Sequence, residues 1–217
     1  MSAFEFFKNA LSERRNYDLS AGHVEWLNFE INRLRAIYPE VKLPEIEHGP
    51  IGNWGSPSLT VSHFFVPPRS GVGKVEEEFG IKLPADFVEF YQNWNEGILI
   101  TRNPVKIMNP TEIIRTVNEL RTAQDIPDNL PHRIVRFGDL GNSSYFLLRY
   151  RHGIEDWEIL CSSYSQDTDA DLQEDNDFPR PCDKTFSEWL QRMVVTDGVP
   201  LHPLLPDEDD KFNQRVI

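Results

Sequence analysis

The sequence predicts a fold of mixed helix and strand built on an antiparallel meander, and three observations predict it. Arg133 to Leu140, Ser143 to Arg151 and Asp156 to Ser163 read as consecutive strands, separated by Gly141-Asn142 and His152-Gly153. In the last of them Trp157, Ile159 and Cys161 share one face by period-two alternation. Helical faces bracket this region, with Phe87, Phe90, Tyr91 and Trp94 before it and Phe186, Trp189, Leu190, Met193 and Val194 after it. The segment from Glu78 to Phe90 joins a helix end to a helix start. Gly80 suits the left-handed residue that closes one helix, and Pro84 suits the first turn of the next. Between them Ile81 and Leu83 flank Lys82, which can stay in water.

The other elements follow in chain order. Phe4, Phe7 and Leu11 mark a first helix ending near Arg14-Arg15-Asn16; Val24, Leu27, Ile31, Leu34 and Tyr38 mark a second, stopped by Pro39. Val41 to Ser70 is interrupted by Pro44, Pro50, Pro57, Pro67 and Pro68, and within it only Ser58 to Val66 reads as a strand. Trp54, Phe64 and Phe65 predict that this connector packs. Val72, Val75 and Phe79 form a helical face, and Asn95-Glu96-Gly97 signals a turn before strands at Ile98 to Thr101 and Val105 to Met108. Asn109 caps the next helix, with Pro110 at its first position, Glu112 three residues on, and Ile113, Val117 and Leu120 as its buried stripe. The last helix begins after Asp183 and ends at Gly198.

At 217 residues the chain can bury roughly 70% of its unfolded surface without staples. No window approaches about 18 uninterrupted apolar residues and no basic leader precedes an apolar segment, so a soluble cytoplasmic protein is the expectation. Cys161 and Cys182 are the only cysteines and read as reduced, buried thiols. The net charge of −13 is uneven: 19 acidic and 17 basic residues lie through Arg151, against 16 and 5 from His152 onward. A field of that sign repels nucleic acid and anionic lipid and speeds encounter with a basic protein.

Several motifs together carry a family resemblance. The Gly80-Ile81-Lys82-Leu83-Pro84 step leads into a helix with Asp86 and Phe87; Phe137-Gly138-Asp139-Leu140-Gly141 precedes Tyr145-Phe146; Phe186-Ser187-Glu188-Trp189-Leu190 closes the region. In this order they resemble the SUKH superfamily, over about residues 70 to 195. Where the family carries Asn-Gly-Gly this chain has Asn95-Glu96-Gly97, and Ser143-Ser144 replaces Gly-Asp before the hairpin aromatic. The resemblance implies an α+β domain, a mostly antiparallel sheet flanked by helices, with Gly80, Pro84 and Phe87 as fold determinants. The expected organisation is an N-terminal helical extension and packed connector over 1–66, the SUKH-like domain over 67–197, and an extended acidic tail over 198–217 with Leu201, Leu204 and Leu205 as docking residues. The N-terminal helices either cap the sheet or serve dimerisation.

The resemblance also implies a protein without catalytic residues or cofactors that neutralises a toxin with a basic face. The partner-binding residues expected on that reading are Glu155, Asp156, Tyr164, Asp167, Asp169, Asp171, Glu174, Asp175 and Asp177. Asp167, Asp169 and Asp171 alternate as in a calcium loop, but Leu172 stands where that loop needs Gly and Phe178 where it needs a bidentate Glu, so no metal is expected there. The six histidines never fall at i, i+4, neither cysteine belongs to a C-x-x-C, and Gly71-Val72-Gly73-Lys74 lacks the remainder of a phosphate loop. Two alternatives remain open at this stage: a scaffold or regulator, as the fungal branch of the same superfamily suggests, or an enzyme pairing Cys161 with His132 or His152 in space.

Overall fold

The computed structural model describes residues 3–11, 13, 15–43, 46–51, 57–69, 71–101, 104–122, 134–140, 145–151, 156–162 and 180–195. In chain order the elements are α1 (Ala3–Leu11), β1 (Arg15–Tyr17), α2 (Ala21–Ile37), β2 (Glu47–Ile51), β3 (Pro57–Val61), β4 (Phe64–Phe65), α3 (Gly73–Phe79), α4 (Ala85–Asn93), β5 (Gly97–Leu99), β6 (Val105–Ile107), α5 (Pro110–Thr122), β7 (Ile134–Leu140), β8 (Tyr145–Arg151), β9 (Asp156–Ser162), β10 (Arg180–Asp183) and α6 (Phe186–Val195). Strands β10 to β4 form a seven-stranded sheet in unbroken reverse chain order, and every described pairing in it is antiparallel. Strands β1, β3 and β2 form a second antiparallel sheet. The architecture is α+β, with the expected meander at β7–β9.

The large sheet has a core on each side at its β4–β5 end, which explains the continuous apolar run Ile98-Leu99-Ile100. Leu99 and Phe65 face the main core, while Ile98, Ile100 and Phe64 face a second one with Leu27, Ile31, Leu34 and Tyr38 of α2 and Leu59 and Val61 of β3. The main core is aromatic. Phe87 lies edge-on to Phe186 at 4.9 Å, Trp189 meets both Phe137 and Phe146 at 5.0 Å, and α1 adds Phe7, edge-on to Trp94 at 5.2 Å.

The Leu-Pro step is built as its residues require. Gly80 closes α3 at φ 63° and its amide bonds the Glu76 carbonyl. The Glu76 side chain then turns back to accept from the Leu83 amide at 3.0 Å. A Cβ at Gly80 would meet nothing within 4 Å. The cost of Gly80→Ala is therefore conformational alone, and urea unfolding should show a loss of about 1–2 kcal/mol. Lys82 points outward, 90% exposed. Asp86 ties the step to the first turn of α6: one carboxylate oxygen accepts from the Phe87 amide at 2.9 Å and the other from the Ser187 amide at 2.7 Å.

Three expectations about the connector and the closing region need correction. Ser58 to Val66 is not one strand: it breaks at Ser62-His63, and β3 and β4 belong to different sheets. The buried His63 accepts at Nδ1 from the Ile100 amide at 2.9 Å and so fixes that break. Strand β2 forms despite Gly49 and Pro50 because a register shift between His48 and Ile51 absorbs them. Strand β10 contains Pro181 and is tolerated as the outermost strand of its sheet.

Candidate partner-binding surface

Of the nine residues expected to bind a partner, Asp156 is described, at the exposed first position of β9. Glu155, Tyr164, Asp167, Asp169, Asp171, Glu174, Asp175 and Asp177 lie outside the described residues, as do Trp54, Phe178, His132, His152 and the tail. Asp156 accepts from the Trp157 amide at 2.8 Å, and the Trp157 indole donates to the Lys82 carbonyl at 3.1 Å. The start of β9 is thereby pinned to the Leu-Pro step. Asp86 likewise ties the first turn of α6 to the Leu-Pro step, and Glu77 and Glu78 of α3 and Glu188 of α6 are exposed, as Asp156 is. Sequence reasoning missed these helical acids, although each falls on the polar side of an apolar periodicity.

Beneath α6, Asp183 pairs with Arg192 at 2.7 Å, its side chain 2% exposed. Burial pushes this carboxyl from 3.8 up to about 6, against the opposing pull of the Arg192 guanidinium. The folded chain holds a proton between those values that the unfolded chain has released. Its stabilisation is complete below pH 3.8 and lost as pH rises through 6. Asp183→Asn should flatten this part of a stability–pH profile, which spans about 1–3 kcal/mol in the parent chain.

A different polar cluster sits where α2 meets the large sheet. Glu96 is fully buried; its Oε1 accepts from the Tyr38 hydroxyl at 2.6 Å and from Asn109 at 3.1 Å, and its Oε2 from Arg33 at 2.5 Å. Arg33 also donates to Glu30 at 2.7 Å, and Lys106 to Glu112 at 2.7 Å. Asn109 caps α5 as its sequence predicts, accepting from the Glu112 amide at 2.9 Å. The adjacent Gly97 is obligatory, since a Cβ there would collide with the Phe64 carbonyl and the Phe65 ring. Because these charges are mutually paired inside the molecule, they hold α2 in place and leave little for a substrate.

The features an enzyme would need are weak among the described residues. Burial pushes the Cys161 thiol up to about 12, so it stays protonated near neutrality. No group of three or more His, Cys, Asp or Glu there could hold a metal ion. A groove of about 350 Å3 beside Pro68, Val72, Val88 and Tyr91 has Arg69 as its one charged lining residue, and that guanidinium is engaged by Glu40, the Ile37 carbonyl and the Tyr38 ring. No helix among the described residues is long and apolar enough to cross a membrane.

The antiparallel sheet, the glycine-closed Leu-Pro step and the α6 helix tied to it by Asp86 define a class of α+β domain. A family model, the SMI1/KNR4 family (SUKH-1), matches residues 72–192, and the chain belongs to that family. No curated protein matched the chain.

Proposed function

We propose that this protein is an immunity protein: in the cytoplasm it binds a cognate secreted bacterial toxin and occludes the toxin's active site or substrate groove, without catalysis of its own. Family membership carries this reading, because the family is generally associated with immunity proteins. The charge distribution supplies the chemistry of the partner. Sixteen acidic residues against five basic ones after Arg151 complement a toxin whose lysines and arginines grip an anionic substrate. The residues proposed to contact the toxin are Asp156, which is exposed, together with Glu155, Tyr164, Asp167, Asp169, Asp171, Glu174, Asp175 and Asp177.

The test is association kinetics with a cognate toxin domain, sought first in the reading frame immediately upstream. Changing the carboxylates from Glu155 to Asp177 to Asn and Gln should slow association at least tenfold at low salt and flatten its salt dependence. An unchanged rate would remove the electrostatic half of the proposal. A second reading, a non-catalytic scaffold, draws on the sequence outside the matched span, where α2 presents Phe29 at 65% exposure. Co-purification with several endogenous proteins instead of one would favour it.

A further inference from the structure

Helix α2 has two faces. Leu27, Ile31 and Leu34 enter the second core, and on the opposite side of the helix Gly22, Glu25, Phe29, Asn32 and Ala36 are exposed. These positions alternate in steps of three and four, which makes a straight seam along the helix. Phe29 stands at its centre, 65% exposed, with Ile37 at 43% and the partly buried Trp26 along one flank. The charges lie to either side of that ring. Glu25 is exposed one turn before Phe29, and Arg35 is exposed after it, its guanidinium leaning back along the helix to bond Asn32 Oδ1 at 3.4 Å. A Cβ at Gly22 would meet nothing within 4 Å, so packing inside the molecule does not account for a glycine in the first turn of a helix.

We propose that the outer face of α2 is the contact of a two-fold homodimer, packed antiparallel on α2 of a second copy. Turning the helix end for end sets Glu25 beside Arg35 of the second copy and Arg35 beside that copy's Glu25, while the two Phe29 rings meet near the axis. A parallel pair would set Glu25 against Glu25 and Arg35 against Arg35. The small residues Gly22 and Ala36, toward opposite ends, keep the seam low enough for the two backbones to approach. Charge also selects this occupant. The chain carries a net −13, so two copies repel one another and meet most readily where the surface is locally neutral. The exposed charges of α2, Glu25 and Arg35, cancel, and a strongly basic toxin would find no attraction there. The dimer therefore stands or falls independently of the toxin reading. One helix of 17 residues, about 26 Å long, makes a small contact, so the association is weak and lies in the micromolar range.

Sedimentation velocity of the full chain across micromolar concentrations tests this. The parent should pass from monomer to dimer, and F29E should weaken the association about tenfold or more. E25R and R35E should each weaken it about threefold to tenfold, and the double reversal E25R/R35E should recover most of the parent affinity, because it restores opposite charges across the axis. All four variants should keep the parent urea midpoint, since each changed side chain is exposed. A parent chain that stays monomeric throughout, or F29E associating as the parent does, would overturn the assignment. So would a double reversal no better than either single one, which would remove the antiparallel pairing. A lower urea midpoint for F29E with association unchanged would place the cover of Phe29 within one molecule and equally overturn it.

Discussion

Glu96→Ala should destabilise the protein by about 3–5 kcal/mol, because it leaves buried partners of a charge uncompensated. Arg33, Tyr38 and Asn109 all donate to this carboxylate. Arg33 retains Glu30, but the Tyr38 hydroxyl, which Asn95 also engages, loses its acceptor inside the molecule. The effect should be largest on α2, whose Leu27, Ile31 and Leu34 lean on Ile98 and Ile100. Urea unfolding checks the magnitude, and faster hydrogen exchange in α2 than in α4 checks the location. Glu96→Gln keeps an acceptor and much of the shape, so its loss should be smaller than that of Glu96→Ala.

Phe87→Ala should cost a similar amount, about 3–5 kcal/mol, for a different reason. Phe87 is fully buried, with Tyr91 at 5.0 Å, Phe137 at 5.7 Å and Phe186 at 4.9 Å. These rings come from α4, β7 and α6, and elements so widely separated in sequence cannot all close on the gap a methyl leaves. Against a typical total stability of about 5–15 kcal/mol, the variant should unfold at a much lower urea midpoint with its slope unchanged. Phe87→Leu, which refills most of the volume, should lose well under half as much.

What was legible in the sequence is what is local. The Leu-Pro step, the Asn109 cap and the three-strand meander each rest on residues within a few positions of one another, and each forms as read. Strands β2 and β10 were missed because Gly49, Pro50 and Pro181 signal interruption, whereas the register shift and the edge position that accommodate them are properties of the assembled sheets. Glu96 read as a turn residue; Arg33 and Tyr38, which make it a buried anchor, lie 63 and 58 positions away. Its position matches the Gly that the family pattern places there, so the departure from the pattern is also where α2 is held. Of the acids proposed to meet a partner, Asp156 is described and is exposed. The ties of β9 and α6 to the Leu-Pro step were not legible, because Trp157 with Lys82 and Asp86 with Ser187 meet only in three dimensions.

The proposal that this protein acts by binding a toxin is tested most directly by co-expressing it with its candidate toxin domain, sought in the reading frame immediately upstream. Growth should be restored, and the two chains should co-elute as a stoichiometric complex in which the toxin is inactive. Continued killing at full expression of this chain, with no complex formed, would contradict the account.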